Sequence, residues 1–175
     1  MDLPTLRDGD LLLRHKLPGD ADALVAACQD PDIQRWTSVP SPYTRADADH
    51  FIAISEQEGE AGRAAHLIAV DAEAGRLLGS FSIMELDREP GYGEIGYWVA
   101  ADARGQGIAT RAVLLLTDWA RAELGLTRLE ILPHKDNAPS QRVAEKAGYR
   151  DTGRLVAGPR GENDDPVFMV YALDS

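Results

Sequence analysis

The chain is poor in cysteine, in basic residues and in long apolar runs. Cys28 is the one cysteine among 175 residues, so no disulfide can close within the chain and no multi-cysteine zinc site can be built. That usage fits a reducing interior, and a cytoplasmic location is expected. Apolar runs such as residues 112–116 fall far short of the roughly 20 residues of a membrane span. The start, Met1-Asp2-Leu3-Pro4, has no basic stretch leading into an apolar one, so a secretory signal is not expected. Lys and Arg total 18 against 29 Asp and Glu, a net charge of −11. Phosphate backbones are bound by basic patches, so nucleic acid is a disfavoured partner. An acidic surface suits cationic acceptors, such as protein N-termini rich in Lys and Arg or polyamines, and it equally serves solubility. His15, His50, His66 and His134 show no metal-ligand spacing, and no metal is expected.

What is present is an ordinary globular composition, 44% apolar, enough for one domain over residues 1–175 with its own core. Leu11–His15 reads as the first strand. Pro18-Gly19-Asp20 opens an amphipathic helix to about Gln29, which Asp30-Pro31 stops. Residues 34–42 read as a loop, and Thr44 caps a second helix to about Glu58. Residues 64–70 and 76–84 make a hairpin, and Tyr92–Val99 is the strand that follows the turn at 88–91. Ile108, Ala112, Leu115, Leu116 and Trp119 recur at helical spacing up to Gly125. Residues 127–132 form a short strand, parallel to Tyr92–Val99 because a helix connects the two. Asn137 or Asp136 caps a further helix with Pro139 in its first turn. Two last strands, 149–156 and 167–173, are joined by a polar loop at 158–166. The pattern is a mixed sheet with helices on its faces.

Chemistry concentrates in residues 94–148. Arg104-Gly105-Gln106-Gly107-Ile108-Ala109 sits where a strand hands over to a helix. The first N–H groups of a helix lack internal partners and carry partial positive charge. Glycines let such backbone approach a ligand closely. Together these suit a pyrophosphate. The loop lacks the Gly-Lys-Ser/Thr ending of an ATP-binding P-loop and the third glycine of a dinucleotide loop.

Arg104-x-x-Gly107-x-Ala109 resembles the pyrophosphate-binding pattern of the GCN5-related N-acetyltransferases (GNAT). Glu94-Ile95-Gly96-Tyr97 upstream, Asn137-Ala138-Pro139-Ser140 downstream, and Val143-Ala144-Glu145-Lys146-Ala147-Gly148-Tyr149 after it resemble one branch of them, which includes the ribosomal-protein-alanine N-terminal acetyltransferases. The resemblance implies an α+β (mixed α/β) fold, with a mostly antiparallel sheet, a splayed parallel strand pair and helices on both faces. It implies acetyl-CoA as cosubstrate, with Arg104, Gly105, Gln106, Gly107, Ile108, Ala109 and Thr110 around its pyrophosphate. Trp98 and Val99 would border the pantetheine arm in the splay. A backbone N–H near Val99 would polarise the thioester carbonyl. Asn137 would cap its helix and bond the pantetheine amide. Self-association as a homodimer also follows from the resemblance alone.

An ammonium cannot attack a thioester, and amines with reference pKa values of ~8 to ~10.4 must lose a proton near pH 7. Glu94, at the start of the splayed strand, is the candidate base, with Asp102 a weaker one. Its bland alternative is a solvated or ion-paired strand carboxylate. Ser140 in the first turn of its helix could assist the departing thiolate or only cap the helix. Arg35, Trp36 and Tyr43 are candidates for the acceptor wall, with Trp36 able to stack on a cation. His134 lies near Asn137 and could reach the site. Arg45, Asp47 and Asp49 read as a solvated helix face, and Cys28 and Tyr149 as core. Three readings stay open: an N-terminal acetyltransferase, an enzyme acting on a small polyamine or aminoglycoside-like amine, and a non-catalytic CoA-binding module.

Overall fold

The computed structural model describes residues 3–157 and 167–174; the polar loop expected at 158–166 lies outside them. The elements in chain order are β1 (Leu6–Asp8), β2 (Leu11–His15), α1 (Ala21–Ala27), α2 (Pro31–Trp36), α3 (Arg45–Glu60), β3 (Ala65–Asp71), β4 (Leu77–Asp87), β5 (Tyr92–Val99), α4 (Ile108–Leu124), β6 (Arg128–Ile131), α5 (Ala138–Lys146), β7 (Arg150–Val156) and β8 (Phe168–Asp174). They form an 8-stranded sheet in the order β1-β2-β3-β4-β5-β6-β8-β7. Every neighbouring pair is antiparallel except β5 and β6.

Two elements depart from the sequence reading. A strand, β1, precedes the one expected to be first. It is three residues long, too short for period-two alternation to register. The stretch read as a loop from residue 34 begins inside a helix: Pro31 occupies the first turn of α2, and the Asp30 carboxylate caps it by accepting from the Asp32 and Ile33 N–H groups. Asp30-Pro31 therefore ends one helix and starts the next, since proline's missing N–H costs nothing in a first turn. The caps read from sequence hold elsewhere. Thr44 and Asp47 form a reciprocal pair at α3, Gly125 ends α4, and Asn137 caps α5 by accepting from the Ser140 N–H.

The sheet is covered on both faces, which is why β3 is buried almost throughout and does not alternate. Leu67, Phe81, Ile83 and Ile95 pack on one face against Ala112, Leu116 and Ala120 of α4 and Ala144 of α5. Ile68, Val70 and Trp98 pack on the other against Leu24 of α1, Ile33 of α2 and Ala48 of α3, with Cys28 among them. Each fully buried large apolar side chain contributes about 1.5–3 kcal/mol. Strand alternation assigns Glu94, Gly96 and Trp98 to the α1–α3 face and Ile95, Tyr97 and Val99 to the α4–α5 face.

The sheet forks in its middle. Parallel pairing of β5 with β6 covers Tyr92↔Arg128, Gly93↔Leu129 and Glu94↔Glu130, and stops there. Beyond Glu94, β5 keeps β4 as partner to Val99, while β6 continues along β8 to Ile131↔Tyr171. The next eight residues after β5 turn the chain into α4. Among the described residues no helix is long and apolar enough to cross a membrane.

Candidate active site

A cleft of about 920 Å³ runs through the fork. Its wall includes Glu94 on one face of the sheet, Ser140 on the other, and Ile108, Ala109 and Thr110 at the start of α4. Ala100 N–H bonds back to Leu78 on the β4 side. Alternation then turns the Val99 N–H and C=O to the opposite edge, which faces the gap. Arg104 Nε donates to that Val99 carbonyl at 3.2 Å.

Gly105, Gly107, Ile108, Ala109 and Thr110 border the cleft. Gly105 and Gly107 have φ of 75° and 77°, a region open to glycine and strained for other residues. A Cβ built on either would meet nothing within 4 Å, so the cradle is open on that flank. Gly107 is the N-cap of α4 and offers no side-chain acceptor, and the first turn holds no acidic residue. The first-turn N–H groups are thus free for an anion. The residues present fit a pyrophosphate.

Two loop residues do other work. Gln106 does not line the cleft; its side-chain amide donates to the Asp102 carbonyl at 3.0 Å and braces the loop. Arg104 borders the cleft but its guanidinium is committed to α2, with Nη2 2.6 Å from Asp30 and Nη1 3.4 Å from Asp32. That contact, together with the α2 N–H groups, holds the Asp30 carboxyl below the usual carboxylate range. Expected around the pyrophosphate, Arg104 here ties its loop to α2 and to the Val99 carbonyl.

Glu94 is half-buried, and among the described residues no side chain bonds its carboxylate. Burial pushes its pKa above the ordinary carboxylate value, and the nearby Glu85 and Glu130 add to the rise. Its acid–base change therefore moves toward neutral pH, as a base for amines requires. Gly96 faces the same cleft, with Met84 lying where a Cβ would be.

On the opposite face, Ser140 is fixed from two sides. Its N–H donates to Asn137 Oδ1 at 3.2 Å. Its hydroxyl lies 2.8 Å from the Tyr97 hydroxyl, which also donates to the Ser140 carbonyl at 3.3 Å. Burial pushes the Tyr97 phenol up to about 12, so it stays protonated. Tyr97 also stacks on Phe81 at 5.6 Å. Sequence reading passed over Tyr97 as a site residue. Alternation along β5 sets it on the face away from Glu94, but its meeting with Ser140 spans 43 residues and has no local signal.

The expected acceptor wall divides. Trp36 borders the cleft and lies 5.3 Å from the His134 ring, which borders it too. Arg35 does not line the cleft; its guanidinium stacks on Trp36 at 4.3 Å. Tyr43 borders the cleft while being 6% exposed, anchored in the core beneath α3. Trp98 does the same from β5, as core and wall together. Tyr149 is core, with its hydroxyl 2.7 Å from Thr117. Asp102 sits outside the cleft in an exposed ion pair with Arg76. Burial pushes the Cys28 thiol up to about 12, which makes it unreactive. Among the described residues no group of His, Cys, Asp and Glu could hold a metal ion.

The chain matches the acetyltransferase (GNAT) domain model over residues 10–150. The uncharacterised N-acetyltransferase p20 of Bacillus licheniformis is 28% identical over 157 residues, which cover 87% of this chain and 86% of that one. Among solved structures, the ribosomal L7/L12 α-N-protein acetyltransferase RimL, in complex with coenzyme A, superposes with a TM-score of 0.85 at 19% identity over 98% of both chains. The spermidine N-acetyltransferase of Vibrio cholerae, with CoA and spermine, superposes with a TM-score of 0.78 at 17% identity, over 95% of this chain and 96% of the other. Those two likenesses speak for the fold. The domain match spans most of the sequence, and on it the chain belongs to the GNAT acetyltransferase family: its reaction class is acyl transfer to nitrogen.

Proposed function

We propose that this chain, acting as one domain, transfers an acetyl group from acetyl-CoA to the primary amine of a protein N-terminus. The observation that carries the reading is the fork, which sets a carboxylate of raised pKa on one face of the sheet and a fixed serine hydroxyl on the other. Acetyl-CoA, when bound, supplies the thioester carbon that the amine attacks. The residues suited to hold it are the α4 first-turn N–H groups at the pyrophosphate, Asn137 at the pantetheine, and the Val99 N–H at the carbonyl. Glu94 takes the proton that the nitrogen loses as the amide forms. Ser140, braced by Tyr97 at the start of α5, meets the departing thiolate with its hydroxyl and the helix N-terminus. A thiol of reference pKa ~8.5 is a good leaving group and needs only that modest help.

The acidic balance and the aromatic wall at Trp36 support a cationic acceptor. The test is CoA release from acetyl-CoA, followed with a thiol reagent, across peptides with varied free N-termini, spermidine and an aminoglycoside, against a no-acceptor blank. Release driven by peptides is the expected result. Release from the small amines alone moves the function to small-molecule modification, and CoA binding without release from any amine makes the chain a binding module.

A further inference from the structure

A buried side-chain cluster on the α3 face of the sheet takes no part in the reading above. His66 of β3 is 7% exposed. Its Nε2 lies 2.7 Å from Glu58 Oε2 on α3, and its Nδ1 lies 2.8 Å from the Ser82 hydroxyl on β4. A carboxylate only accepts, so Nε2 carries the ring proton and Nδ1 accepts from the Ser82 O–H. The lone pairs of Ser82 Oγ are then left for a donor in the cleft, whose wall Ser82 and His66 share with Glu94.

The sheet register places this hydroxyl beside Glu94. Ser82 pairs with Gly96, and Met84 pairs with Glu94. Ser82 and Glu94 are thus diagonal neighbours on one face of an antiparallel pair, about 7 Å apart at Cβ. The end of the Met84 side chain lies over Gly96, between the two, and an amine that meets both takes its place.

The chemistry calls for such a second group. An ammonium that becomes an amide loses two protons: one frees its lone pair, and the second leaves as the C–N bond forms and the C–S bond breaks. The thiolate takes up one proton, so one is released overall. Glu94 holds only one of the two. We propose that Ser82, His66 and Glu58 form a second proton path, in which Ser82 receives the acceptor ammonium and His66 and Glu58 carry its first proton to solvent. Resting on the acetyl-transfer reading, the path balances step by step. The ammonium proton passes to Ser82 Oγ as the Ser82 proton moves to His66 Nδ1 and the Nε2 proton moves to Glu58. The Glu58 side chain, 30% exposed, returns it to water, and once the product leaves, water reprotonates Nε2 through Glu58 as the Nδ1 proton leaves through Ser82 to the cleft, which restores the starting tautomer. Glu94 takes the second. Ser82 touches the substrate; His66 and Glu58 act through it as positioning residues.

The groups facing His66 are Glu58 from α3, Ser82 from β4 and Lys16 just after β2, with the Phe51 ring 5.8 Å away. Burial lowers the His66 pKa, Glu58 raises it and Lys16 lowers it, with a net fall from the ordinary value. The ring is neutral at pH 7 and ready to accept. Lys16 is itself buried, with Nζ 4.2 Å over the Phe51 ring and no hydrogen-bond partner among the described residues. Burial pulls its pKa down to about 7.

The path is tested with Ser82→Ala, Glu58→Gln and Lys16→Met, using whichever peptide, spermidine or aminoglycoside the wild type turns over fastest. Ser82→Ala should lower kcat/KM for the amine at least tenfold while the Kd for acetyl-CoA, which also reports folding, stays within twofold. Glu58→Gln removes the carboxylate that takes the relayed proton and makes His66 basic, so kcat/KM should fall and its acid limb should move to lower pH. Lys16→Met removes the facing cation, so the limb should move to higher pH. A packing role would not shift the limb in opposite directions. Ser82→Ala within twofold of wild type, or a limb that stays put in both other variants, overturns the path alone. A wild type silent on every amine overturns the acetyl-transfer reading and the path with it.

Discussion

Glu94 and Glu130 face each other in register across the parallel strand pair, and their surroundings could hardly differ more. Glu130 is 6% exposed and fully engaged: Arg128 reaches it at 2.7 Å and 2.9 Å, the Tyr92 hydroxyl donates at 3.1 Å, and Arg154 lies at 3.5 Å. Glu94 is half-buried with no such partner among the described residues, and burial raises its pKa. The difference starts where β5 parts from β6. The strand that keeps a neighbour on both sides presents its carboxylate to two arginines and a phenol. The strand that loses one neighbour turns its carboxylate into a cleft. Residue type sets what a carboxylate can do; the fork sets which of the two is left facing the cleft without a partner among the described residues.

Removing each charge in turn should separate these roles. The largest effect is expected from Glu94→Gln, a near-isosteric change. Its kcat should fall by about 10²–10⁴, the usual range for a lost general base, with acetyl-CoA affinity within twofold. Steady-state rates with a CoA-binding titration decide it, and near-native turnover would take Glu94 out of the chemistry. The wild-type pH profile carries the same claim. Glu94 acts only when ionised and its pKa is raised, so kcat/KM should fall, as pH drops, at a value above that of an ordinary carboxylate. Stability has the opposite sign. The folded protein binds the Glu94 proton more tightly than the unfolded chain does, so this residue's contribution grows as pH falls toward the raised value.

Glu130→Gln should do the reverse. It breaks charge-assisted bonds to Arg128, whose side chain is partly exposed and can rehydrate. A loss of about 2 kcal/mol, or roughly 4–8 °C in Tm, is expected, with kcat at low temperature within a few-fold of wild type. An unchanged melting curve would mean that the buried pair contributes nothing net. The smallest effect is expected from Tyr97→Phe, which leaves both carboxylates in place and frees Ser140 on the far side of the fork. One neutral hydrogen bond, about 0.5–1.5 kcal/mol, corresponds to a roughly two- to tenfold drop in kcat with the same pH profile. A shifted profile would tie Tyr97 to the Glu94 side instead.

Much of this framework is legible in the sequence because its signals are local. Tyr92–Val99, the helix held between Gly107 and Gly125, and the Asn137 cap are set by turn residues and period within a few positions of each element. What the sequence hides is short or distant. β1 and α2 are too brief for periodicity. The Arg104–Asp30 pair spans 74 residues and the Tyr97–Ser140 contact 43. Glu130 is only half legible: Arg128 two positions away is a local partner, but the bonds with Tyr92 and Arg154 span 38 and 24 residues. Ser82 and His66 read as ordinary strand positions until the β3–β4 register sets them side by side.

The measurement that bears most directly on the central claim is a crystal structure of the chain with acetyl-CoA. The account expects the pyrophosphate on the N–H groups at the start of α4, and the acetyl group in the fork between Glu94 and Ser140, its carbonyl toward Val99. An acetyl group lodged outside the fork, or a pyrophosphate away from the Gly105–Gly107 turn, would contradict it.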